Sequence, residues 1–284
     1  MAVERRNVER GDADSGIIDC HLHVVDPLRF SITPGIGYAP RPGEEGTRET
    51  LAATLDAAGV HGAVIIQPSC YGFDNAPLLD AMASRPGRYK GIAVIQGDEP
   101  DAELERLAAS GVVGVRFNLA SFDGDALSGS DAPRLLARIR AMDWFAQIHA
   151  RDAQWAAVSP LLRDSGVTVI VDHFGIAQPI GPVDAAGFRS VLDLGATGRA
   201  VFKLSAPFRI VADPEQDDAL AHQVNILLAA FGKERRIWGS DWPFLGLDRR
   251  PRYEDCLDIL KHWLPDAADR EQVLWHNPIQ LFGF

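Results

Sequence analysis

Short apolar runs recur along the chain, with segments of helical spacing between them. The first four runs cover residues 17–25, 60–67, 89–96 and 112–120. Four more cover residues 144–150, 167–175, 200–206 and 236–243. Their β-branched, almost unbroken apolar character predicts strands of a parallel sheet covered on both faces. Helical spacing marks residues 47–58, 101–109, 132–142, 154–164 and 218–231. Thr47 stands where an N-cap belongs and Pro133 in a first turn, while Gly59, Gly111, Gly166 and Gly232 stand at the helix ends. Eight such units in one chain predict a single α/β domain, a closed (β/α)₈ TIM barrel, over an open doubly wound sheet. The barrel is expected over residues 17–284, behind a polar tail at 1–16. The Gly- and Pro-rich insert 30–46 follows the first strand, so it is expected as a loop or lid on the catalytic face.

The polar positions fall in register. Each run opens apolar and closes on polar side chains: Asp19, His21 and His23 on the first, Gln67 and Ser69 on the second, Gln96 on the third. Arg116 and Asn118, then Gln147 and His149, then Asp172 and His173 close the next three. Lys203 and Ser205, then Ser240 and Asp241, close the last two. Residues two apart share one face of a strand, so His21 and His23 are expected to point inward together. Cys20, between them, is expected to pack outward against the helices. Barrel enzymes place their chemistry at the C-terminal ends of the strands. Charged groups converging there are costly to bury unless they are paired or used. Taken singly, each has a plainer reading: Asp172 and Asp241 as caps or loop anchors, His149 as a hydrogen-bonded structural histidine.

Composition narrows the partners. Twenty-eight Lys and Arg against 39 Asp and Glu give a net charge of −11, which argues against nucleic-acid binding. No run approaches the length of a membrane span, and residues 1–16 lack the apolar stretch of a secretory signal. The three cysteines are odd in number and widely spaced, which suits a reducing cytoplasm. A small molecule is the expected partner, and a homo-oligomer stays open.

The motifs D-C-H-L-H at 19–23, V-D-H-F-G at 171–175 and W-G-S-D-W-P at 238–243 resemble the strand 1, 6 and 8 signatures of the amidohydrolase superfamily. The closing H-N-P-I-Q-L-F-G-F is similar to the last segment of its amidohydrolase-2 branch. Q-P-S-C-Y-G-F-D-N at 67–75, G-V-R-F-N at 114–118 and K-L-S-A-P-F-R at 203–209 resemble the 2-pyrone-4,6-dicarboxylate lactonases and related sugar-lactone and muconolactone hydrolases. The resemblance implies water attack on a lactone carbonyl. Asp241 would be the general base, with His21, His23 and His173 donating to the carbonyl oxygen. Arg116, Arg209 and Tyr38 match substrate contacts of that group, and Ser69, Asn118 and His149 stand beside them.

Two points stay open in the sequence. His21, His23, His149 and Asp241 also make a set for one divalent metal such as Zn²⁺. The bridging ligand of a two-metal site is missing, because strand 4 offers Arg116, and the resemblance points to a metal-independent enzyme. The substrate is the second point. The lactonase pattern has a basic residue in the segment after Asn118, another at Ile176 and a tyrosine at His149. Two fewer cations make a buried dianion costly, so a lactone with one carboxylate, or a neutral sugar lactone, is expected. The rivals are a mononuclear-metal decarboxylase or another C–O or C–N hydrolase of the superfamily, and a barrel that binds without catalysis.

Overall fold

A computed structural model describes residues 15–35, 38–120, 126–175 and 180–284. Among them are eight strands: β1 (Ile18–Leu22), β2 (Gly62–Ile66), β3 (Tyr89–Ala93), β4 (Val112–Asn118), β5 (Phe145–His149), β6 (Thr168–Val171), β7 (Ala200–Ser205) and β8 (Arg236–Gly239). They pair in sequence order, every pair parallel. A parallel bridge between Leu22 and Trp242 joins the last strand end to the first. The chain folds as the expected (β/α)₈ barrel.

The expected helices form, with ends moved by a residue or two: α1 (Arg48–Ala57), α3 (Asp101–Ala109), α4 (Ala132–Ala141), α5 (Asp152–Ser165) and α7 (Asp218–Ala230). Thr47 caps α1, its hydroxyl accepting from the Thr50 N–H at 3.2 Å. Gly166 ends α5 in the left-handed conformation at φ 69°. Periodicity did not single out α2 (Ala76–Ser84), α6 (Ala186–Ala196) and α8 (Tyr253–Trp263). Helix α6 carries Gly187 and Gly195, which are poor helix formers. The structure needs the first of them bare, because a Cβ on Gly187 would stand 2.1 Å from the Asp152 carbonyl oxygen.

The barrel interior has two storeys. The lower one is an apolar plug of Ile18, Val64, Ile92, Phe145, Ile170, Val201 and Ile237. Phe282, from the C-terminal helical segment, closes it with its ring 5.1 Å from that of Phe145. Cys20 belongs to this plug, which corrects the expectation that it faces the helices. The reason is a β-bulge: the β1–β2 register slips between Asp19 and Leu22. Cys20 and His21 can then both point inward. Asp19 points outward instead, to the Tyr253 hydroxyl of α8 at 2.8 Å. The upper storey, above this dry floor, is polar. The 1–14 part of the polar tail lies outside the described residues, as do Ile176 and residues 121–125 of the segment after Asn118.

Candidate active site

The polar storey is organised around two buried carboxylates. Asp172 lies deeper, ringed by Lys203 Nζ at 3.1 Å, His21 Nδ1 at 3.3 Å, Arg116 Nε at 3.2 Å and Gln147 Nε2 at 3.0 Å. Burial alone would raise its pKa, but Lys203, His21 and Arg116 hold the carboxyl well below the usual range. Asp172 is therefore an anion with its charge spent on its neighbours. Reading it as a loop anchor understated it. Neither Lys203, Gln147 nor Asp172 was singled out as a site residue from the sequence. The signal was there in the i, i+2 pairing of Gln147 with His149 and of Lys203 with Ser205.

Asp241 is the second carboxylate, at the mouth. Three imidazoles face its Oδ1: His23 Nε2 at 3.5 Å, His21 Nε2 at 3.6 Å and His173 Nε2 at 3.8 Å. Arg209 Nε donates to the other oxygen, Oδ2, at 2.5 Å and its NH2 to the Leu245 carbonyl at 2.9 Å. Burial would again raise the pKa, and Arg209 and the histidines hold it well below the carboxylate range.

Behind each imidazole stands a partner that fixes it. His23 Nδ1 donates to the Ile66 carbonyl at 2.8 Å. His173 Nδ1 lies 2.9 Å from the Ser205 hydroxyl, and burial depresses its pKa to about 4. His149 Nδ1 donates to Asn118 Oδ1 at 3.0 Å, and Asn118 Nδ2 donates to Ser69 Oγ at 2.8 Å. Three residues expected as substrate contacts thus form one chain along the wall. Burial pushes His149 down to about 3. Tyr38 reaches the same space from the loop after β1, half-buried near the charges of Arg116, Asp241 and Arg209.

His173 and Asp241 lie just past their strands, not on them. Both adopt left-handed backbone, with φ 46° and 68°. That turn aims the side chains across the mouth instead of along the barrel wall. The mouth is also where the barrel closes: the Asp241 N–H donates to the His21 carbonyl at 2.7 Å and the His23 N–H to the Trp242 carbonyl at 2.8 Å. The described part of the 30–46 loop covers the loop after β8, as expected of it. Glu44 accepts from the Gly246 N–H at 2.9 Å and Arg41 pairs with Asp248 at 2.7 Å. Beside the mouth, a cavity of about 340 Å³ is lined by Phe73, Val94 and Ile95 together with Ser69, Arg116 and Asn118.

One divalent cation is the cofactor these donors suggest. Side-chain atoms of His21, His173 and Asp241 lie within 4.8 Å of one another, and two imidazoles with a carboxylate suit Zn²⁺. His23 and His149 fall outside that set, in contrast to the four-residue set expected. The fit fails at His21. Its Nδ1 is 3.0 Å from the Lys203 ammonium, nearer than the Asp172 carboxylate at 3.3 Å, whereas a metal-bound histidine needs an acceptor and no competing donor there.

The amidohydrolase family model matches residues 18–284. The chain belongs to the amidohydrolase family. This amidohydrolase is 29% identical over 278 residues to the 4-sulfomuconolactone hydrolase of Rhizobium radiobacter, covering 94% of this chain and 90% of that one. It is 29% identical over 281 residues to the 2-pyrone-4,6-dicarboxylate hydrolase of Comamonas testosteroni, with the same coverage. The crystal structure of a probable 2-pyrone-4,6-dicarboxylic acid hydrolase from Acinetobacter baumannii, with citric acid bound, superposes with a TM-score of 0.87. That match is at 30% identity and covers 95% of this amidohydrolase and 100% of that chain.

Proposed function

We propose that this amidohydrolase opens the ring ester of a small lactone carrying one carboxylate, with Asp241 as general base. The observation that carries the reading is the Asp241 carboxylate, kept ionised at the mouth with three imidazole nitrogens 3.5–3.8 Å from one of its oxygens. Asp241 takes a proton from water as the water oxygen bonds to the lactone carbonyl carbon. The carbonyl π electrons move to its oxygen, which His21 and His173 stabilise by donated hydrogen bonds. His23, whose Nδ1 proton is given to the Ile66 carbonyl, has no second proton to donate as a neutral ring, which corrects the expectation of three donors. Collapse of that oxyanion breaks the ring C–O bond, and the proton on Asp241 passes to the departing alkoxide. The product is a hydroxy acid. A positioned base contributes roughly 10²–10⁴-fold, and a preorganised oxyanion donor roughly another 10²–10³-fold.

Charge supports the substrate class. Arg116, Lys203 and Arg209 face Asp172 and Asp241, which leaves one positive charge in excess among the described residues. One carboxylate neutralises it, and a second would be buried without a partner. The relatives named for lactone hydrolysis support a lactone substrate, while the single carboxylate rests on the charge count. We place the enzyme in the cytoplasm, in catabolism of small ring esters. Among the described residues no helix is long and apolar enough to cross a membrane.

Proton release in a weakly buffered indicator assay, across pyrone, muconate and sugar lactones, tests the proposal. Asp241→Asn is expected to abolish acid production, a loss of at least about 10²-fold, while its circular dichroism stays that of the wild type. Near-normal turnover in that variant would remove Asp241 from the role. Silence of the wild type across the whole panel would bring the decarboxylase reading forward.

A further inference from the structure

Lys203 is wholly buried, and its ammonium touches three groups. Nζ lies 2.9 Å from Gln147 Oε1, 3.0 Å from His21 Nδ1 and 3.1 Å from Asp172 Oδ1. An ammonium has three N–H donors and no acceptor. The Gln147 amide is oriented by the same logic, since its Nε2 donates to Asp172 Oδ2 at 3.0 Å while its oxygen faces the lysine. Gln147 Oε1 and His21 Nδ1 stand in hydrogen-bond geometry and Asp172 Oδ1 in an ion pair only. The ammonium therefore keeps its second hydrogen bond only if His21 Nδ1 offers its lone pair. A proton on that nitrogen would meet the ammonium head-on. It would also remove one of the two hydrogen bonds of a wholly buried ammonium.

We infer that Lys203 is a positioning residue that locks His21 in its Nε2–H tautomer, fitting that nitrogen to donate to the reacting carbonyl and barring it from ligating a metal. The donor half rests on the lactonase reading; the tautomer does not. A neutral imidazole carries one ring proton, so a bare Nδ1 means a protonated Nε2. That Nε2 is buried and has no hydrogen-bond partner among the described residues, with Asp241 Oδ1 at 3.6 Å too distant to serve. An unsatisfied buried donor is costly, and it is regained when an oxyanion forms beside it. Metal ligation through Nε2 requires the opposite tautomer, with Nδ1–H given to a carboxylate or carbonyl behind it. Asp172 Oδ1 stands 3.3 Å from Nδ1 and could take that proton, but only if the ammonium were gone.

Nitrogen NMR of the full-length protein with ¹⁵N-histidine decides the tautomer without any substrate. The His21 signals are assigned by their loss in His21→Asn. Near neutral pH, Nε2 should show a protonated, pyrrole-type shift and Nδ1 a bare, pyridine-type shift. The reverse pattern in the wild type overturns the inference. In Lys203→Met the pattern should invert as Nδ1–H turns to Asp172. With it, kcat should fall about 10²–10³-fold at nearly constant KM. Affinity for added Zn²⁺, read by calorimetry, should rise at least about tenfold. A folded Lys203→Met with an unchanged His21 spectrum, or wild-type Zn²⁺ binding that is lost in His21→Asn, also overturns it. Should Lys203→Met fail to fold, the wild-type spectrum still decides. A silent lactone panel with the expected spectrum would sink the lactonase reading alone.

Discussion

At the residue scale, the site divides its charges by depth. Asp172 spends its negative charge on Lys203 and Arg116, whereas Asp241 keeps one oxygen free for chemistry. Arg209 stabilises the Asp241 anion and so weakens it as a base. Its side chain is 26% exposed, the most accessible charge of the group, so an incoming carboxylate can share it. Arg116 is nearly buried and borders the cavity. If it binds the substrate carboxylate equally in ground and transition states, its loss raises KM and spares kcat. We expect Arg116→Gln to raise KM for an anionic lactone about 10–100-fold, the worth of one charged hydrogen bond. Asp172 keeps Lys203 and Gln147 in that variant, so the fold should hold. Saturation kinetics would show the split. A collapsed kcat at constant KM would move Arg116 onto the reacting carbonyl.

At the element scale, the seam between β8 and β1 carries the site. Gly239 is bare because a Cβ there would stand 2.4 Å from the His21 Cβ and 2.7 Å from its backbone nitrogen. Gly239→Ala should push the strands apart, cost about 1–3 kcal/mol in urea denaturation and lower kcat by displacing His21. Wild-type kcat in that variant would mean that the seam gives without moving the imidazole. Much of this level was legible in the sequence. Alternation of apolar runs with capped helical spacing marked all eight strands and five helices. The misses have physical causes. Helix α6 hides behind packing glycines, and the bulge in β1 breaks the period-2 rule that placed Cys20 outside. The turns after β6 and β8 read as strand because apolar or aromatic residues run through them. His173, Phe174 and Asp241 are nevertheless left-handed there, a strain of order 1–3 kcal/mol each that the surrounding packing must hold.

At the scale of the whole molecule, stability should follow the buried histidines. His149 and His173 titrate at about 3 and about 4 in the folded chain, against 6.5 unfolded. Between those values the unfolded chain binds more protons, so stability is lost as pH falls from about 6.5 towards 4. His21 shifts the same way. Asp19 opposes them: burial raises it to about 6 from 3.8, so the folded chain gains stability as pH falls through about 6. Three groups outweigh one. The melting temperature should therefore be lower at pH 5 than at pH 7, and His149→Gln should flatten the dependence. A flat profile in the wild type would mean that these rings take up protons without unfolding.

By itself the sequence determined the barrel, because buried parallel strands must be apolar along their length and helices must be capped. It also determined which strand ends are polar, since that register survives any detail of packing. Asp241, His21, His23 and His173 were all legible as a group for this reason. Tertiary structure decided how the charges pair. Lys203, Asp172 and His21 lie on three strand ends far apart in the chain, and only barrel closure brings a buried ammonium behind one histidine and not the others. Which nitrogen of that ring carries the proton is a property of contacts across the barrel, and no pattern along one strand encodes it.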